Sequence, residues 1–106
     1  MRPTHTMLIG TWRHAHEEDA EGVTVYRQAA FNFAPSRGRR GFELRVNGSF
    51  RALAPGPTDR EVESGSGRWS QADSELKLEF SDGRTERHRI VQSERDRIAL
   101  APLIQN

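Results

Sequence analysis

Apolar and polar residues alternate along most of this chain. Phe42, Leu44 and Val46 are separated by Glu43 and Arg45, Leu76, Leu78 and Phe80 by Lys77 and Glu79, and Ile98 and Leu100 flank Ala99. A period of two sends one set of side chains to a buried face and the other to solvent, as in a half-buried strand. Asn47-Gly48 and Asp82-Gly83 stand between such runs as hairpin signals, the first favouring a two-residue turn with φ > 0. Looser breaks lie at 17–22, 35–41, 54–59, 71–74 and 93–94. Eight strands follow, near 11–16, 23–34, 40–46, 49–54, 60–71, 75–80, 84–92 and 96–101. The only helix candidate, 17–21, is too short to stand alone and reads as an acidic turn.

Strands at this spacing predict an all-β fold, and every connection is short enough for an antiparallel neighbour without a crossover. An eight-strand meander leaves two open edges unless it closes, so the expected architecture is an eight-stranded antiparallel up-and-down β-barrel of meander topology. The 106 residues form one domain. Parity places Trp12, Val23, Val25, Phe31, Phe33 and Phe42 inside the barrel. Leu44, Val46, Phe50, Trp69, Leu76 and Leu78 follow, with Phe80, Ile90, Ile98 and Leu100. The stretch 61–67 is polar on both faces and reads as a wet mouth or an open side.

Composition narrows the classes. Without cysteine there is no disulfide framework, thiolate metal site or thiol nucleophile, and a reducing, cytoplasmic setting is expected. No run approaches the roughly 18 apolar residues of a membrane helix, and residues 1–10 lack a signal-peptide pattern, so no membrane insertion is expected. A net charge of +1 argues against nucleic acid as a partner. Only 26 large apolar or aromatic residues are available for a core, about three per strand. That suffices to line one face of a narrow barrel, whose interior is either packed or holds one small ligand.

Several short motifs together resemble the bacterial lipocalin-like (calycin-type) proteins. These are Gly10-Thr11-Trp12 on the first strand, Phe42 to Phe50 around Asn47-Gly48, Gly67-Arg68-Trp69 before Leu76-Lys77-Leu78, and Arg97-Ile98-Ala99-Leu100. The resemblance covers about residues 8–101 and implies a lipocalin-like barrel, plugged at one end by the first-strand tryptophan and open at the other to a small apolar molecule. It also implies that Arg95 or Arg97 lies across Trp12. The chain is shorter than the long lipocalins and lacks their flanking helix.

His14 and His16 share strand parity with Trp12, and His88 shares it with Ile90 and Glu86. If all three histidines point inward they form a candidate metal or haem site; otherwise the first strand leaves the barrel near Ala15 and the pair lies at a solvated rim beside Glu17-Glu18-Asp19. Either Tyr26 or Arg27 faces the interior. Regular parity with Phe31 and Phe33 admits Arg27, to meet a ligand carboxylate or to pair with Glu43, Glu63 or Glu79, whereas a bulge near Ala29-Ala30 admits Tyr26. Arg37, Arg39 and Arg40 make a solvated basic loop, and Arg84, Arg87, Arg89, Arg95 and Arg97 pair across strands with Glu86, Glu94 and Asp96.

No nucleophile elbow, phosphate loop or zinc-helix motif is present, so the chain is expected not to be an enzyme. The leading expectation is binding of a small hydrophobic or amphipathic ligand, with no cofactor. The candidate residues are Trp12, His14, His16, Tyr26, Arg27, Phe42, Phe50, Trp69 and His88. The alternatives are a packed barrel serving as a protein-interaction or homodimer module, and metal or haem binding through His14, His16 and His88.

Overall fold

Eight strands, each bounded by turn-forming residues, make up the computed structural model, which describes residues 8–33, 39–55 and 61–102. They are β1 (Gly10–His14), β2 (Thr24–Gln28), β3 (Gly41–Leu44), β4 (Ser49–Pro55), β5 (Glu61–Ala72), β6 (Glu75–Phe80), β7 (Thr85–Ser93) and β8 (Arg97–Pro102). One 3-10 turn, His16–Glu18, joins β1 to β2. Every neighbouring pair is antiparallel and the sheet closes on itself, as the alternating pattern predicts. Among the described residues no helix is long and apolar enough to cross a membrane.

From β3 to β8 the strands follow one another around the barrel, but the first two exchange places. β1 lies between β2 and β3, and β2 closes the ring against β8. β2 and β3, consecutive in sequence, are therefore not neighbours, where an uninterrupted meander is expected. Glycine permits the close β1–β3 contact: a Cβ at Gly41 would stand 2.0 Å from the Trp12 carbonyl oxygen.

The crossover also relocates several side chains expected inside. β2 ends at Gln28, so Phe31 and Phe33 are not strand residues at all. The Ala29 N–H bonds to the Thr11 carbonyl at 2.9 Å, and Phe33 packs outside the barrel with Val23 against Ala15, Val25 and Ala99. Val25 is buried, yet it faces this outer cluster, because its neighbour Tyr26 packs on the inner core. Phe31 remains 37% exposed, covered on one face by Arg27 at 4.5 Å.

Val46 is the other displaced residue, at 78% exposure. At this hairpin the Gly48 N–H bonds to the Arg45 carbonyl and the Arg45 N–H to the Ser49 carbonyl, giving a three-residue loop over 46–48. Gly48 has φ +89°, while Asn47 does not take positive φ, so the turn is not the two-residue primed type. The extra loop residue is Val46. Gly83 repeats this arrangement after Phe80, with φ +97°.

The inner core gathers at one end. Trp12 and Leu8 are fully buried, and the Trp12 indole N–H donates to the Leu8 carbonyl at 2.9 Å. Trp69 does the same with the Arg45 carbonyl at 2.8 Å. Leu44, Ile90 and Ile98 complete this plug. A buried indole needs a partner for its N–H, and here each indole finds a backbone oxygen.

Candidate functional site

Away from that plug, the barrel holds a cavity of about 470 Å³. Its apolar lining includes Phe42, Phe50, Leu53, Leu76, Leu78 and Phe80. Alternation on β3, β4 and β6 delivers these side chains inward, and Phe50 meets Phe80 edge to face with ring centroids 5.0 Å apart. Glycine makes the room for Phe80, since a Cβ at Gly65 would come within 3.1 Å of its ring.

A bulge shapes the mouth. On β5, Gly65 pairs with Ala52 and Glu63 with Leu53, so Ser64 falls outside the ladder and lines the cavity. Ser64 is the point at which the polar stretch over 61–67 reaches the cavity, and one edge of that stretch is closed by β4.

Polar groups of the cavity stand on both flanks of Tyr26. Arg40, at the entry to β3, is separated from Tyr26 on β2 by β1. Tyr26 reaches across β1 to Phe42, with ring centroids 4.8 Å apart. Burial chiefly raises the Tyr26 phenol pKa, aided by the charges of Asp19 and Glu86 and opposed by that of Arg40. Glu86 and His88 lie on β7, which β8 alone separates from β2, with His88 Nε2 3.2 Å from the Glu86 carboxylate. Arg84 lies over the Phe80 ring at 4.3 Å and binds Asp82 at 2.9 Å, not Glu86.

Of the residues singled out by sequence, Tyr26, Phe42, Phe50 and His88 line the cavity. Trp12 and Trp69 do not; they belong to the plug. Arg27 points outward, because the strand stays regular only to Gln28 and Tyr26 takes the inner face. Its guanidinium binds Glu18 at 2.7 and 2.9 Å and Asp96 at 3.3 Å, in place of the anticipated partners Glu43, Glu63 or Glu79. Arg97 does not lie across Trp12; it binds Glu18 at 3.1 Å and also contacts Gln92.

β1 leaves the barrel after His14, and the histidines sit at the rim. His14 Nε2 is 2.8 Å from Asp19, whose other oxygen accepts the Val25 N–H at 2.9 Å. His16 Nε2 is 3.8 Å from Glu17. The three histidines therefore face three different carboxylates, and among the described residues no group of His, Asp and Glu is arranged to hold a metal. The metal or haem constellation of His14, His16 and His88 is not assembled.

The basic loop is less solvated than expected. Arg39 is 7% exposed, stacks on Phe33 at 4.6 Å and forks onto Glu17 at 2.6 and 2.9 Å. Arg37 lies outside the described residues. Glu86 lines the cavity with His88, as their shared strand parity predicts, whereas Arg40 and Ser64 are not legible as cavity residues, since only the strand order and the β5 bulge bring them there. In comparisons with protein-family models, with curated proteins and with solved structures, no match was found.

Proposed function

We propose that this protein is a non-enzymatic, lipocalin-like carrier or sensor that binds one small hydrophobic or amphipathic molecule in its barrel, in a cytoplasmic setting. The observation that carries the reading is the cavity of about 470 Å³, apolar below and polar at the rim. Ligand pockets span about 300–1,000 Å³ and combine an apolar lining with a few polar groups, and this space has that form.

The test uses the neutral fluorophore N-phenylnaphthylamine, which brightens in apolar surroundings. It should bind with one-to-one stoichiometry, and Ala52→Trp, which fills the cavity from β4, should abolish the signal while keeping a cooperative thermal transition. Equal fluorescence from a folded Ala52→Trp variant would place the probe elsewhere and defeat the reading.

A second reading, association with a partner or a second copy, is favoured by one observation. β6 pairs with β5 only from Gly67 onward, so 61–65 pair with β4 alone and present an open strand edge carrying the 43%-exposed Val62. Sedimentation at rising concentration separates this from a monomeric binder.

A further inference from the structure

The first half of β5 offers a backbone edge. β6 pairs with β5 from Gly67 onward, and the Ser81 N–H adds a last rung on the Ser66 carbonyl at 2.9 Å. There the chain turns through Gly83 into β7, so 61–65 run on beside β4 alone. Among the described residues no hydrogen bond reaches their other edge. Unpaired strand N–H and C=O groups are matched by another strand, which a small amphiphile does not supply.

The same edge adjoins the cavity. Val62 opposes Ala54, a cavity residue, and so takes the inner face, where it is 43% exposed. Ser64 lines the cavity, and the Phe80 ring lies within 3.1 Å of where a Gly65 Cβ would stand. Glu63, the residue after Val62, takes the opposite face and is exposed, and among the described residues its carboxylate has no hydrogen bond or ion pair. A second copy fits this edge poorly. The segment reads Glu61-Val62-Glu63, and antiparallel self-pairing centred on Val62 or Glu63 sets acid against acid. A strand with basic residues on that face meets Glu63 with the opposite charge, and alternation turns its other side chains toward the cavity.

We propose that residues 61–65 bind an extended peptide in which basic and apolar residues alternate. It adds as a strand beside β5, sets an arginine or lysine against Glu63, and passes an apolar side chain into the cavity over Phe80. This rests on the open edge of the second reading above and names the partner.

The probe is fluorescein-labelled Gly-Val-Arg-Phe-Arg-Val-Gly amide, followed by fluorescence anisotropy with the intact chain at neutral pH. It should bind about tenfold more tightly than its analogue with glutamate in place of both arginines, the effect of one charge-assisted contact. Glu63→Arg should reverse that order. Two further analogues carry N-methyl groups on alternate amides, one set or the other. Only one of them should lose binding, by about tenfold, because a strand presents a single edge to β5. Ala52→Trp should weaken the parent peptide, since the filled cavity has no room for its phenylalanine. Each variant is checked for a cooperative thermal transition. Equal affinity for the arginine and glutamate peptides, equal affinity for the two N-methylated isomers, or undiminished binding by folded Ala52→Trp would overturn the proposal. Dimerisation of the protein alone at rising concentration, with no peptide bound, would give the edge to a second copy, overturning the proposal and keeping the second reading. Failure of every peptide to bind a protein that still brightens N-phenylnaphthylamine would overturn the proposal and leave the small-molecule reading intact.

Discussion

Arg27 and Arg97 face each other directly across the β2–β8 pair, and a single carboxylate, Glu18, binds both guanidinium groups. Two like charges at opposed positions on neighbouring strands repel each other. Here the carboxylate comes from the His16–Glu18 turn between β1 and β2, so the contact that relieves the repulsion also ties that turn to the seam where the barrel closes.

Glu18→Gln should therefore cost about 1–2 kcal/mol of stability, more than an exposed ion pair, because it leaves two facing arginines with weakened partners. Urea denaturation measures this. Combining it with Arg27→Met should cost less than the two single changes together, since one arginine of the opposed pair is then gone.

Acid should destabilise the fold through a defined set of carboxylates. The hydrogen bond from Arg39 lowers the Glu17 pKa from its ordinary 4.5 to about 2. Glu18 is lowered by hydrogen bonds from Arg27 and then Arg97, and Glu43 by Arg51 and then Arg45. Folded values below unfolded ones mean that the unfolded chain binds more protons, so this contribution is complete above about pH 5 and drains away as pH falls from about 4.5 toward 2. The urea midpoint, followed from pH 6 to pH 2, should drop through that window. A midpoint that stays level there contradicts the assignment.

Trp12→Phe should lower stability by about 1–3 kcal/mol, through lost volume and an unsatisfied Leu8 carbonyl, and leave N-phenylnaphthylamine binding unchanged. The second half of that outcome distinguishes a plug from a ligand platform. Weakened fluorophore binding by a folded Trp12→Phe protein would return the indole to the ligand site.

Strand positions were largely legible in the sequence because alternation and the two Gly-closed hairpins are local. Neighbour order was not. Nothing in the period of β1 and β2 records that Gly41, lacking a Cβ, lets β3 pack against the Trp12 carbonyl, so that β1 stands between β2 and β3. The error in Phe31 and Phe33 follows from it, since their parity with Val25 has no meaning once β2 ends at Gln28. Val46 was misplaced for a smaller reason: Asn47-Gly48 can close a two- or a three-residue loop, and the choice decides which residue is left outside. At the site, Phe42, Phe50 and Tyr26 were readable as aromatic residues near strand parity, whereas Arg40 looked like one more loop arginine. Its place in the cavity lining comes from its position at the entry to β3, which neighbour order and not local pattern decides.

The exchange of the first two strands also sets a timetable for folding. β3 to β8 pair with their sequence neighbours, so that sheet can grow hairpin by hairpin, with each new strand docking on the one before it. Joining residues 24–27 to residues 97–100 requires ends of the barrel wall that are separated by most of the described chain. Such long-range pairings are slow, because loop closure must precede any contact that rewards it. A ribosome-bound chain that lacks β8 thus has both edges of its sheet open, and barrel and cavity come into being in one late step.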